Sequence, residues 1–391
     1  MRVVPLAPNP PAVIRDALIR RGVDPGRAAA AAHGLEPVVL LVDQIQPAER
    51  ETLALAARDQ GLDCLTGDGW AMLAGSIGRA GGLTRPGVTR LTEALAGTIG
   101  ERLRNAMKRP TEWRTARGNI SLDRPLVVGI LNVTPDSFSD GGCYLDPADA
   151  CRHADAMIEQ GAGMLDIGAE STRPGRPSPV PEDEEWRRLE PVLEYLSRTH
   201  PSVPTSVDTV KSKTARRALD AGAWAANDVS GLRLDPALAD VCAKSGAGLV
   251  LMHSRGAFEE MASYTHAVYE DEVGIEVESE LVAAADEALR RGVPSDSLVL
   301  DPGLGFAKTP EQSWAALRGL SGLASLGYPI MVGPSRKRFV GAVTGQAVAD
   351  RDAATASVCA AAWLAGARLF RVHAPSPTRN ALAVAAAMRS E

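Results

Sequence analysis

The chain has 391 residues, 45% of them apolar, and a formal net charge of -6 at pH 7. That length suggests two domains, or one large one with an attachment, and the acidic balance gives no reason to expect nucleic acid or an anionic membrane as partner. No window approaches the ~18 uninterrupted apolar residues of a membrane span, and the start, MRVVPLAPNP, lacks the apolar core of a signal peptide.

The five cysteines are Cys64, Cys143, Cys151, Cys242 and Cys359. None forms a C-x-x-C pair and none has a zinc spacing with histidine, so they read as reduced thiols of a cytoplasmic protein. Charge is uneven along the chain: residues 1–123 sum to +3 and the remainder to -9. An anionic substrate of the second part must therefore be held by a few placed cations, not by an overall field.

In chain order, the first part shows a modest α/β pattern. PAVIRDALIRRG is helical, PVVLLVD a strand, PAERETLALAARDQG helical with Pro47 in its first turn, and VTRLTEALAGTIGERLRNAM a longer amphipathic helix. These elements make residues 1–108 a small α/β domain. Residues 109–124, polar and bounded by proline, read as a linker or a wrapped connection. From residue 125 to 391 the pattern repeats. Short apolar runs (LVVGILN, GMLDIGA, PTSVD, WAAND, GLVLMH, SLVLD, PIMVG, ARLFRVH) alternate with helical stretches. Eight β-then-α units predict a (β/α)8 TIM barrel preceded by the smaller domain. A doubly wound open sheet is the alternative, but no G-x-G-x-x-G follows the first strand.

In such a barrel the site lies at the C-terminal ends of the strands. Those ends carry Asn132, Asp166, Asp208, Asn227, His253, Asp301, Arg371 and His373. Any one of them could be a turn or a helix cap. Polar groups at so many strand ends are harder to obtain from capping alone.

The motifs GILNVTPDSFSDGG (Gly129 to Gly142), DIGAESTRPG (Asp166 to Gly175), SVDT, NDVSG, LMHSRG, LDPGLGFAKT, GPSRKRFVG and RVH are together specific. From about Leu126 onward the chain resembles the dihydropteroate synthase family. The resemblance implies a transferase of folate biosynthesis. It would join 6-hydroxymethyl-7,8-dihydropterin pyrophosphate to 4-aminobenzoate with help from Mg²⁺, pyrophosphate leaving before the amine attacks. It also implies a homodimer, and a target of sulfonamides whose tolerance depends on pocket shape around Phe138, Pro174 and Phe306.

Matching the family's motifs residue by residue, Asp208, Asn227, Asp301 and Lys337 would bind the pterin. Asn132, Thr172, Arg371 and His373 would hold pyrophosphate, with Asn132 also the Mg²⁺ ligand. Phe138, Ser171, Thr172, Pro174, Phe306 and Ser335 would contact the aminobenzoate. Arg173, Lys337 and Asp208 would carry the catalytic burden, and Asp136 is a further candidate for metal or water contact. Four positions depart from the family pattern: Ser254 replaces a usual Met, Ala307 a usual Gly, and Ala374-Pro375 a usual Asp and aliphatic residue, where a strand-end cap would be lost and the start of the last helix could shift. Two other readings stay open. One is a non-catalytic pterin-binding scaffold, against which Asn132, Arg173 and Lys337 speak. The other is a methyltetrahydrofolate:corrinoid methyltransferase on the same barrel, which would have no use for the STRPG, SRK and RVH segments. The N-terminal domain reads either as a structural, dimer-supporting appendage or as a docking unit for a regulator.

Overall fold

The structure, a computed structural model, describes residues 2–5, 15, 18–26, 28, 39–43, 45–59, 62–74, 97–107, 110–134, 147–170 and 179–388. The chain divides into two compact units, Met1–Arg109 with Ser321–Gly327, and Pro110–Leu320 with Tyr328–Glu391.

The first unit is built on four antiparallel strands, β1 (Arg2–Pro5), β2 (Val39–Asp43), β3 (Asp63–Gly67) and β4 (Trp70–Ala74), in the order β1-β2-β4-β3. Alternation along β2 and β4 sends Leu40, Val42, Ala71 and Leu73 to one face and Leu41, Trp70 and Met72 to the other. On the first face Leu53 and Ala57 of the helix Pro47–Asp59 close a core; on the second, Leu18 and Ala28 do. The helix expected over Val88–Met107 is described from Gly97 to Met107.

The polar stretch read as a linker or a wrapped connection carries secondary structure of its own. Residues 112–121 form a β-hairpin, β5 (Glu112–Thr115) with β6 (Gly118–Ser121), whose inward side chains Trp113 and Ile120, with Leu122 beyond, are buried in the core of the second unit. The Trp113 indole N–H donates to the Ser297 carbonyl at 2.9 Å. Gly248 makes room for the ring, since a Cβ there would lie 2.6 Å from it.

The second unit is a barrel of eight parallel strands: β7 (Leu126–Asn132), β8 (Met164–Gly168), β9 (Thr205–Asp208), β10 (Ala225–Asp228), β11 (Gly248–Met252), β12 (Leu298–Asp301), β13 (Met331–Val332) and β14 (Leu369–Val372). Each runs alongside its neighbour, β14 pairs back to β7, and a parallel bridge from Leu300 to Ile330 closes the ring between β12 and β13. Both faces of these strands are covered, which is why they read as continuous apolar runs.

Register then positions the site. Val128, Met164, Ala225, Val250, Val299, Met331 and Leu369 form one apolar layer with the hairpin beneath. Side chains two residues further along a strand lie on the same face. That step reaches Asp166, Asn227, Asp301 and Arg371, while Ser206 and Asp208 of β9 stand in register with Asp166 and Gly168. The barrel interior is therefore apolar at the bottom and charged at the mouth.

Candidate active site

Asp166 is the centre of the mouth. It is 1% exposed, and both oxygens accept hydrogen bonds: Oδ1 from the Ser206 hydroxyl at 2.6 Å, and Oδ2 from the Asn227 amide at 2.9 Å and from Arg371 Nε at 2.5 Å. Arg371 Nη2 reaches Asp208 Oδ2 at 2.6 Å. Burial works against charge on Arg371, but Asp166 and Asp208 outweigh it and hold the guanidinium protonated. Burial pushes Asp208 up to about 7 against the pull of Arg371, with the nearby carboxylates of Asp166, Glu185 and Asp228 adding to the rise.

Asn227 is 2% exposed, and its orientation is set by Asp166. With the amide N–H spent there, Oδ1 is buried and has no partner among the described residues. Buried acceptors are rarely left this way unless a ligand or water supplies the donor. The adjacent Asp228 shapes the loop, accepting from the N–H groups of Ser230 and Leu232 at 2.8 and 2.6 Å.

Across the mouth, Asp301 Oδ1 accepts the Gly303 N–H at 2.7 Å. Burial raises its pKa, opposed first by the charge of Lys337. Lys337 Nζ donates to the Leu304 carbonyl and stands 4.5 Å over the Phe306 ring. Burial pushes this lysine down to about 8, with Asp301 pulling it back up. The Ser335 hydroxyl lies 2.9 Å from His373 Nδ1 and accepts the His373 backbone N–H at 3.1 Å.

These side chains set carboxylate and amide acceptors beside ammonium and guanidinium groups at the strand ends. Such a donor and acceptor set is chemically suited to hydrogen-bonding a polar heterocycle. The sequence profile described as "Pterin binding enzyme" matches residues 128–373, the barrel from its first strand to the end of its eighth.

The chain belongs to the pterin binding enzyme family. Dihydropteroate synthase of Mycobacterium leprae (strain TN) is 44% identical to it over 274 residues, covering 68% of this chain and 95% of that one. Among solved structures, Xanthomonas albilineans dihydropteroate synthase with 4-aminobenzoic acid is 40% identical with a TM-score of 0.66, covering 72% of this chain and 100% of that one. The same enzyme in complex with 7,8-dihydropteroate is 38% identical with a TM-score of 0.63, covering 71% and 99% respectively.

In this pterin-binding barrel the structure brings together Asp208, Asn227, Asp301, Lys337 and Arg371 at one mouth, with Phe306 against Lys337 and Ser335 against His373. Asn132 ends β7, in register with Gly168. Phe138, Ser171, Thr172, Arg173, Pro174 and the further candidate Asp136 lie outside the described residues. Arg371, expected at phosphate, spends two of its nitrogens on carboxylates. Ser335, expected at aminobenzoate, is tied to the histidine expected at pyrophosphate. Asp166 stands among the strand-end residues and Ser206 within the SVDT motif, and the motifs assign neither a role in the site. The available signal is the step of two from Met164 of the apolar layer, which puts Asp166 on the inner face; Ser206 follows only from its register with Asp166.

The family departures have visible consequences. Ser254 is buried, donates to the Val229 carbonyl at 2.7 Å and accepts from Arg233 at 3.1 Å, so it links two loops where a methionine could only pack. Ala307 is fully buried at φ 44°, a conformation that favours glycine. Ala374 occupies the N-cap of the helix Pro375–Ala387 with no side-chain bond to the helix end.

Proposed function

We propose that the mouth of this barrel condenses 6-hydroxymethyl-7,8-dihydropterin pyrophosphate with 4-aminobenzoate, giving 7,8-dihydropteroate and pyrophosphate. The observation that carries the reading is the buried Asn227 Oδ1 beside Asp208 and Asp301: three acceptor groups at the mouth of a barrel whose family binds pterins. Pterin N–H groups would supply the missing donors, and a site built on such bonds rejects rings that lack them. Lys337 would donate to a ring acceptor from the other side.

In the reaction the bond between the exocyclic carbon and the pyrophosphate oxygen breaks first, its electron pair leaving with pyrophosphate. The electron-rich ring stabilises the cationic carbon. The aminobenzoate nitrogen then attacks that carbon and loses a proton. Arg371 and His373, with Asn132 and Thr172, would take the leaving anion. Arg173 would stand beside the reacting centre, and Phe138, Ser171, Thr172, Pro174, Phe306 and Ser335 would hold the amine in line.

No group of three or more His, Cys, Asp or Glu suited to a metal occurs among the described residues. Mg²⁺ commonly takes one or two protein oxygens and completes its shell with water and substrate phosphate. The Asn132 amide oxygen fits that role, and Mg²⁺ bound there would neutralise charge on pyrophosphate. A homodimer through the barrel helices is the assembly we favour, supported by exposed Val343, Val348, Leu364, Val384 and Met388 on the last helical segments. Among the described residues no helix is long and apolar enough to cross a membrane, in keeping with the cytoplasmic placement we favour. For residues 1–108, the structural, dimer-supporting role is the one we favour.

The site assignment is tested by measuring pterin binding and turnover separately. Asp208→Ala should mainly weaken pterin binding, and Arg173→Ala should mainly lower turnover. Unchanged kinetics in both variants would overturn the assignment.

A further inference from the structure

Beside the mouth, between β11, β12 and the helix Val273–Arg290, lies a chain of charged groups for which the reaction above has no use. Lys308 is 1% exposed. Its Nζ lies 2.8 Å from His253 Nδ1 and donates to the carbonyls of Gly303 and Phe306, each at 3.2 Å. Three acceptors match the three N–H donors of an ammonium. Burial pushes the Lys308 pKa well down, and Asp301 pulls it back.

His253 is pushed down to about 4, by burial first and then by Lys308, so its ring is neutral near pH 7. With Nδ1 facing the lysine, the ring proton sits on Nε2, which lies 3.1 Å from Glu280 Oε2, within ion-pair distance but without hydrogen-bond geometry. Glu280 accepts from Arg255 Nε at 3.0 Å. Arg255 stacks 4.1 Å from the centre of the Tyr269 ring, and the Tyr269 hydroxyl donates to the Ala307 carbonyl at 3.0 Å. The network thus returns to its origin, gripping the Gly303–Lys308 turn from Lys308 on one side and Tyr269 on the other.

That turn is tightly constrained. Gly303 has φ 64°, and a Cβ on it would lie 1.9 Å from the His253 carbonyl oxygen. The Ala307 N–H is held by the Met261 carbonyl at 2.7 Å. A capping box at Thr309 and Gln312 starts the next helix immediately after it. The turn also presents the Leu304 carbonyl to Lys337 and the Phe306 ring beneath its ammonium.

We propose that Lys308, braced by His253, is a positioning residue for the reaction: it sets the Gly303–Lys308 turn that seats Lys337 and Phe306 for the two substrates. The inference rests on the assignment of Lys337 and Phe306 given above. It is tested in the full-length protein with Lys308→Met, His253→Asn, His253→Gln and, as reference, Lys337→Met, reading kcat, the KM for 4-aminobenzoate and the thermal midpoint. Asparagine can place an oxygen where Nδ1 stood and still accept from Lys308; glutamine places it at the Nε2 end. Lys308→Met and His253→Gln should each raise that KM and lower kcat by about tenfold or more, while His253→Asn stays within about threefold of the parent. A role in packing alone would favour glutamine, nearer to histidine in volume, over asparagine.

Parental kinetics in a folded Lys308→Met enzyme would overturn the inference, as would indistinguishable Asn and Gln variants. If Lys308→Met does not fold, the Asn and Gln pair decides. An impaired Lys337→Met beside an unimpaired Lys308→Met sinks only the inference; an unimpaired Lys337→Met removes the assignment and the inference with it.

Discussion

Asn227 fixes its amide on Asp166 and keeps an oxygen buried and unpartnered, so its truncation removes an acceptor that a pterin N–H should use. Asn227→Ala should weaken pterin binding by about 10- to 100-fold, the cost of leaving a buried donor unmatched. Titration calorimetry with the pterin substrate would check it, and an unchanged Kd would place the ring elsewhere. Lys337 gives a second prediction at this scale. Its pKa of about 8 means that the ammonium is lost as pH rises through 8. Turnover should decline over that interval, and Lys337→Met should abolish the decline. The linkage has a definite sign. The folded pKa lies below the ordinary lysine value of 10.5, so holding the charge costs stability below pH 8, and the cost fades between 8 and 10.5. Ala307 is strained by its positive φ. Ala307→Gly should relieve that strain and, after the entropy penalty of glycine, stabilise the fold by about 0.5–1 kcal/mol, read as a rise of about 2 °C in thermal midpoint. Little of this was legible beforehand. The family motifs named Asn227 and Lys337, but no single sequence states that Asp166 holds Asn227 and Arg371, because those partners are 61 and 205 residues away.

At the scale of elements, the barrel strands were easy to read and the hairpin Glu112–Ser121 was not. Parallel strands covered on both faces, such as Leu126–Asn132, leave continuous apolar runs. The hairpin is covered on one side only, so its apolar residues are few and separated by charged or polar ones: Trp113 and Ile120 stand among Glu112, Arg114 and Asn119. The β3–β4 hairpin was missed for a different reason. Its Asp68-Gly69 loop is a strong hairpin signal, but it falls between short runs overshadowed by the helices around them. The helix Pro375–Ala387 supplies the test at this scale. Its N-cap Ala374 has extended backbone, with φ -119° and ψ 93°, the conformation a capping aspartate adopts. Ala374→Asp should therefore add about 1 kcal/mol, measurable by chemical denaturation. No gain would mean that the helix start is already satisfied by other groups.

Across the whole molecule, the apolar bottom and the charged mouth of the barrel are two ends of one register. Trp113 sits in the layer below Asp166, Asn227 and Asp301, so the bottom plug and the charged mouth share strands. A chain starting at Asp123 loses the Trp113 plug and should melt well below one starting at Pro110, with Trp113→Ala costing about 3–5 kcal/mol. Equal melting of the two would mean that the hairpin is dispensable. The claim on which the rest depends is that this mouth makes dihydropteroate. The most direct measurement is to supply the intact protein with the dihydropterin pyrophosphate and Mg²⁺, with and without 4-aminobenzoate, and quantify pyrophosphate and dihydropteroate together. The account predicts the two products in equal amounts when 4-aminobenzoate is present. Pterin binding with neither product formed would contradict it, and would make this barrel a binding scaffold.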